Sequence, residues 1–394
     1  MSSTTGLQRR RATGGVGSLD PEEDPGARVS SKTLGEKLAE SKSHETSSGL
    51  GSRSRIEKES GHRVAYDPRD LEESDESTGL PRLTLMEELY LLGLKDRQGY
   101  LSFWNEHMSY VLRGSILMEL ALRGRLRVAK TQDNRHAEPA DRVLEVCSTK
   151  HTGDPLLDEA VRVIRSNAPA SIAEWIDLLN GETWSVSKLS MQLKQVRERI
   201  AKGLAEKGVL RTEKKSFLLF DMPTHPLADR AQKEAVLRRI YALLTSKSQS
   251  VHSDEFYKEE PSPVRMRVTR TLCMICCAFC ANVLENTLTH LPTHLSGEVF
   301  DRASALVTTY GQWPMAPDTP GGGIPGNGEY RATSYSSSNS IRLFPKTKKT
   351  VKIGVGDAEL VNILRKEMQE SHSEPALEVI AGVLHVFVCM HALE

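Results

Sequence analysis

Leu272-Cys-Met-Ile-Cys-Cys-Ala-Phe-Cys-Ala281 is the longest apolar run in the chain, and its reading decides the fold. Its ten residues fall well short of the ~20 that a bilayer-spanning helix needs. Cys273, Cys276, Cys277 and Cys280 recur at i, i+3, i+4 and i+7, which is one helical stripe. Leu272, Met274, Ile275, Ala278 and Phe279 cover the remaining faces. A helix that is apolar all round is covered on every side. The run therefore reads as the central core helix of a mainly α protein, inside a longer helix over 264–291. The crowded thiols also suggest zinc, but a zinc site usually takes its other pair of ligands from elsewhere in the chain. The scattered His residues supply no such spacing. Reduced Cys packs as a small hydrophobe, so the prediction is core packing, with no metal and no cofactor.

Helical signals extend in both directions from this run. Thr84, with Glu87 three residues on, forms a capping-box pattern ahead of Leu85, Leu89 and Leu92. Further helices are predicted over 105–123, ending at Gly124, and over 155–166 and 171–179. Residues 187–207 read as one long amphipathic helix with Leu193, Val196, Ile200 and Leu204 on a single face, stopped by Gly208. Helices resume over 228–246, 297–310, 358–370 and 378–393. Residues 209–212 and 217–220, joined by Glu213-Lys-Lys-Ser216, read as a β-hairpin whose strands carry Val209, Leu210, Phe217, Leu218, Leu219 and Phe220.

Two stretches fall outside this pattern. Residues 1–80 contain no Phe, Trp or Cys and eleven Leu, Ile or Val, with 12 basic and 15 acidic residues. So polar a segment cannot offset a backbone ordering cost of about 1–2 kcal/mol per residue, and it is predicted to be a disordered tail. Residues 313–349 are rich in Gly, Pro and Ser and read as a disordered surface insertion in the domain over 81–394.

Charge and cysteine usage narrow the function. The 394 residues carry 52 basic and 52 acidic side chains, and 81–394 alone has 40 and 37. No whole-protein basic field draws in nucleic acid. Six Cys, four of them within eight residues, do not make a disulfide framework and fit a reducing compartment. The chain shows no secretory h-region, no myristoylation site and no prenylation box, so membrane contact is expected through surface chemistry. The Gly-rich run over 321–328 lacks the Gly-Lys-Ser/Thr of a phosphate loop. With no nucleophile or paired-carboxylate motif, the chain is expected not to be an enzyme.

Four residues stand out as candidates. Trp104 lies with Tyr100, Leu101 and Phe103 in an apparent turn before a helix, where it either staples the loop to the core or reaches a membrane headgroup layer. Arg113 interrupts an apolar helix beside Val111, Leu112, Ile116 and Leu117, so its charge must reach solvent, a paired acid or a bound anion. Lys194 and Arg197 lie one turn apart at the edge of the amphipathic helix, as solvated flank residues or as an anion site. The helix-then-hairpin order also suggests the wing of a winged-helix nucleic-acid regulator, which remains the alternative reading.

Several stretches together resemble the Golgi phosphoprotein 3 family, and most closely its fungal members. They include Leu83-Thr-Leu-Met-Glu-Glu88, Gly99-Tyr-Leu-Ser-Phe-Trp-Asn105, Leu112-Arg-Gly114, Glu119-Leu-Ala-Leu-Arg-Gly124 and Trp175-Ile-Asp-Leu-Leu179. Gln192-Leu-Lys-Gln-Val-Arg-Glu-Arg199, Gly208-Val-Leu-Arg-Thr212, Ala281-Asn-Val-Leu-Glu285 and Leu377-Glu-Val-Ile-Ala-Gly382 continue the match in order. The resemblance implies a single helical domain around a central four-helix bundle, with surrounding amphipathic helices and an oligomerising hairpin. It implies that Trp104, Arg113, Lys194 and Arg197 bind phosphatidylinositol 4-phosphate. Lys194 stands where animal relatives carry Arg, a point charge in place of a fork. It further implies a peripheral adaptor on the cytosolic face of Golgi membranes, holding glycosyltransferases through their cytosolic tails. Coatomer is the implied partner of Arg9, Arg10 and Arg11, and the Golgi phosphoinositide phosphatase a further one.

Overall fold

The computed structural model describes residues 79–101, 106–183, 185–217, 220–245, 253–288, 293–315 and 355–391. Apart from Gly79 and Leu80, which are described, the tail over 1–80 lies outside them, with Arg9, Arg10 and Arg11. So does most of the insertion, together with Trp104, Leu218 and Leu219. In chain order the elements are α1 (Leu85–Gly93), α2 (Glu106–Leu122), β1 (Leu126–Val128), α3 (Gln132–His136) and β2 (Leu144–Val146). Then follow α4 (Pro155–Ser166), α5 (Ile172–Asn180), α6 (Val196–Glu206), β3 (Glu213–Phe217), β4 (Phe220–Thr224) and α7 (Arg230–Thr245). The last are α8 (Arg267–Cys280), α9 (Leu284–Leu288), α10 (Thr293–Tyr310), α11 (Val355–Glu370) and α12 (Pro375–His391). Among the described residues the protein is thus predominantly helical, with two small antiparallel sheets, β1–β2 and β3–β4.

The cysteine run is where its pattern puts it. In α8 every residue from Val268 to Ala278 is buried, and the four thiols are fully so. Helices α1, α2, α7, α10, α11 and α12 all pack against it. Burial pushes the Cys273 thiol up to about 12 and raises the other three as well, so all four stay neutral, packing as small apolar groups. The helix is shorter than the predicted 264–291. Asn282 takes a left-handed φ of 56°, its N–H donates to the Phe279 carbonyl, and Val283 N–H donates to Ala278. This is a Schellman stop, with Asn tolerating the left-handed position.

The first helix starts as its sequence indicates. The Thr84 hydroxyl accepts from Glu87 N–H, and the Glu87 carboxylate accepts from Thr84 N–H at 2.9 Å. All nine residues of α1 are nonetheless buried, so it is an interior helix rather than an amphipathic one. Helices α2 and α12 cross closely at Gly114. A Cβ there would sit 2.3 Å from the Phe387 ring.

Carboxylates tie the interior together. Glu119 accepts from Arg270 at 3.0 Å, from Arg123 at 2.7 Å and from Leu85 N–H at 3.0 Å. Burial pushes Glu119 up, but the two guanidiniums outweigh it and hold the carboxyl at about 2. Glu88 pairs with Arg239, whose guanidinium lies 3.8 Å from the Tyr257 ring centre. Glu367 accepts from the N–H groups of Val268 and Thr269 and so caps the start of α8.

Three further predicted boundaries need correction. The single helix over 187–207 is a 3-10 turn (Lys188–Met191), an extended Gln192, and α6 beginning only after Gln195 at φ 52°. Leu193 N–H donates to Leu179 and Leu193 C=O accepts from Arg113, so tertiary hydrogen bonds take the backbone groups a helix would have used. The hairpin is also displaced. β3 pairs with β4 in the register Glu213↔Thr224 to Phe217↔Phe220, so residues expected to turn are strand. Val209 and Leu210 belong to the core, at 0% and 2% exposure. Gly208, at φ 72°, stops α6 with Val209 N–H donating to Leu204, which folds the apolar pair back under the helix. Finally, the insertion begins later than 313. Trp313 packs on the core and Met315 is buried, its carbonyl accepting from Arg365.

Candidate anion-binding site

The site is built from the first half of α2, the end of α5 and the turn leading into α6. Arg113 points from α2 into the protein and is 6% exposed. Its Nη1 donates to Ser109 Oγ at 2.7 Å and to Ser109 O at 3.1 Å. Its Nε donates to Leu179 O at 3.3 Å, and its Nη2 to Leu193 O at 3.1 Å. These four bonds leave at least one of the guanidinium's five N–H donors uncommitted. The sequence posed solvent, an acid or an anion as outlets for this charge. The structure instead lodges it against neutral carbonyls, with no carboxylate among its partners in the described residues.

Such a charge is under-compensated. Burial and, after it, the positive charge of Arg197 together lower the Arg113 pKa to about 10. The Arg197 charge is therefore felt at Arg113, and a bound anion would relieve both. Arg197 is half-buried on the first turn of α6, while Lys194 is exposed on the preceding turn. Among the described residues the Lys194 ammonium has no hydrogen-bond or ion-pair partner. The two are not on one helical face as their spacing predicts, because the left-handed Gln195 lies between them. The turn, rather than a helix, carries Lys194.

A polar layer missed in the sequence surrounds Arg113. Ser109 Oγ lies 2.6 Å from Asn180 Oδ1, and Gln192 Nε2 donates to Asn180 O at 3.0 Å. Tyr110 OH lies 2.8 Å from both Asp177 Oδ1 and Glu182 Oε2, and Asn180 Nδ2 donates to Glu182. Burial raises the Tyr110 hydroxyl and the Asp177 carboxyl alike. These acids are thus held by Tyr110 and Asn180 rather than by Arg113. The only local signal for this layer is Ser109 one helical turn before Arg113.

Trp104, the fourth candidate, lies outside the described residues, as do the side chains of Phe217 and Phe220. Among the described residues no three His, Cys, Asp or Glu side chains converge as a metal site, and no helix is long and apolar enough to cross a membrane.

Comparison with known proteins points to a single family. Residues 85–317 match the family model described as Golgi phosphoprotein 3 (GPP34). The chain is 44% identical over 332 residues to vacuolar protein sorting-associated protein 74 of Schizosaccharomyces pombe, covering 84% of this chain and 88% of that protein. It is 41% identical over 351 residues to the protein of the same name from Eremothecium gossypii, covering 88% and 95%. This family is one of non-catalytic adaptors, so the chain is not an enzyme. With so much of its folded part matched, the chain belongs to the Golgi phosphoprotein 3 family and is closely related to the fungal vacuolar protein sorting-associated protein 74.

Proposed function

We propose that this protein is a peripheral adaptor of the cytosolic face of Golgi membranes that binds phosphatidylinositol 4-phosphate through Arg113, Lys194 and Arg197, with Trp104 entering the headgroup layer. The observation that carries the reading is the buried Arg113 guanidinium, whose partners among the described residues are all neutral acceptors and which feels the charge of Arg197. Charge-assisted hydrogen bonds to phosphate oxygens fill that deficit. Each basic residue near an anionic surface adds about 1 kcal/mol, so one such site is a marginal anchor and self-association strengthens it.

The same reading assigns oligomerisation to the β3–β4 hairpin, glycosyltransferase retention to contacts with their cytosolic tails, and coatomer binding to Arg9, Arg10 and Arg11 on the N-terminal tail. A phosphoinositide phosphatase of the same membrane is a further partner. It also treats α2, α8, α10 and α12 as a central four-helix bundle. The packing of α8 on the other three, and of α12 on α2 and α10, supports this. The near-neutral body argues against the winged-helix alternative.

Vesicle sedimentation across a phosphoinositide panel tests the proposal. Binding is expected only when phosphatidylinositol 4-phosphate is present, and binding indifferent to the headgroup overturns it.

A further inference from the structure

The described residues expose three large hydrophobic side chains, Tyr100, Val186 and Leu189. The Tyr100 ring is engaged by the Lys95 ammonium, 5.5 Å from its centre. Val186, at 82% exposure, and Leu189, at 41%, have no such partner among the described residues and lie on one short segment. That segment is ordered. Lys188 N–H donates to Ser185 O, Leu189 N–H to Val186 O, and Ser190 Oγ to Ser187 O. The 3-10 turn Lys188–Met191 buries none of its residues. Its far end is fastened to the anion site. Gln192 bonds back to Leu189 O and across to Asn180 O, and Leu193 bonds to Leu179 and receives Arg113. Met191 packs on the core and Leu193 is buried, which leaves Val186 and Leu189 as the outward apolar pair.

From this arrangement we infer a second membrane contact, in which the 185–191 turn seats Val186 and Leu189 at the acyl boundary of an anionic bilayer beside the headgroup pocket. The inference rests on the lipid reading above. Charge complementarity supports this occupant. Residues 183–197 contain Lys188, Lys194 and Arg197 and no Asp or Glu. Lys188 is held at 2.7 Å by Glu174, which leaves Lys194 to face the anionic surface. Size favours a bilayer over a protein. A stable protein interface buries ~800 Å² per partner, far more than two aliphatic side chains offer, whereas a lipid boundary accepts a small wedge beside charged groups.

The experiment uses the full chain with Cys147→Ser and Cys389→Ser, which remove the exposed thiols and leave the buried four in place. Val186→Cys then carries an environment-sensitive dye. The probe is phosphatidylcholine vesicles with and without phosphatidylinositol 4-phosphate. A blue shift and quenching by chain-brominated lipid are expected only with the phosphoinositide. Without the dye, Val186→Asp with Leu189→Asp is expected to weaken vesicle affinity roughly tenfold or more, the scale of one lost aliphatic burial, with the thermal midpoint unchanged. If the protein sediments with vesicles while the dye stays silent, or the aspartate variant binds as wild type, the second contact is refuted and the headgroup reading stands. A change in lipid-free mass on aspartate substitution also refutes it, in favour of a contact between copies. Failure to bind any vesicle overturns the headgroup reading and this inference together.

Discussion

The Arg113 guanidinium donates to the carbonyl oxygen of Leu193, 3.1 Å away and 80 residues further along the chain. This bond fastens α2 to the turn that presents Lys194, so Arg113 is both a member of the candidate site and a strut. Its replacement should therefore behave differently from that of its neighbours. Arg113→Ala leaves the Leu179 and Leu193 carbonyls without this donor, and a stability loss of about 2 kcal/mol is expected together with lost headgroup binding. Denaturant unfolding checks this. An unchanged midpoint would show that the carbonyls are satisfied without the guanidinium.

Lys194→Ala with Arg197→Ala should separate binding from stability. Lys194 is exposed and unpaired among the described residues, and Arg197 is half-buried. At about 1 kcal/mol per basic residue, affinity for vesicles containing phosphatidylinositol 4-phosphate should fall about thirtyfold, with little change in the thermal midpoint. Undiminished lipid binding by the folded double variant would remove these residues from the site.

The Glu119–Arg270 pair predicts an acid response. Glu119 titrates at about 2 in the fold against an ordinary 4.5. Its depressed value means that its stabilisation is complete above about 4.5 and is lost as the pH falls from there toward 2. The amount at stake is about 3 kcal/mol. Glu119→Gln should abolish that part of the acid transition and destabilise the protein at neutral pH by about 3–5 kcal/mol, because Arg270 remains buried without its partner. Equal acid sensitivity of the variant and the wild type, followed by circular dichroism, would refute this.

Gly114→Ala should be costly despite its size. The new methyl group would meet the Phe387 ring at 2.3 Å, so α2 and α12 must move apart. Overpacking of this kind costs about 1–3 kcal/mol. Calorimetry is the check, and Phe387→Leu in the same chain should recover part of the loss.

The corrected hairpin divides two roles that the sequence merged. Replacing 213–224 with a short Gly/Ser linker should leave the helical signal intact and give a smaller species by sedimentation. Leu210→Ser should instead leave the mass unchanged and cost about 2–5 kcal/mol, since Leu210 is core. An unaltered mass after hairpin replacement would take β3–β4 out of any interface.

Much of this architecture was legible because its signals are local. The cysteine stripe of α8, the Thr84–Glu87 box and the Gly208 stop each act within one or two helical turns, and each is found where its spacing puts it. Pro155–Ser166 is likewise bounded as read, with the Asp154 side chain accepting from Leu156 and Leu157 N–H. The candidate site was legible only as a set of odd residues. Arg113 was conspicuous because a charge interrupts an apolar helix, whereas Asn180 and Gln192 look ordinary until the fold joins them at 3.0 Å.

By itself, then, the sequence determined the helical class, most helix ends, the core helix and the residues whose charge needs explaining. These follow from periodicity and capping, which are settled by neighbours along the chain. Only the tertiary structure decided that 187–207 breaks at Gln195, that Val209 and Leu210 turn inward, and that Arg113 rests on carbonyls rather than acids. Distant partners decide the first and third, Leu179 and Arg113 for Leu193 and Leu193 for Arg113, while the Leu227 bridge to Leu210 adds a distant partner to the local Gly208 stop. The physical reason is that backbone N–H and C=O groups must be satisfied once buried. Local periodicity can offer a helical partner, but packing determines which partner is within reach.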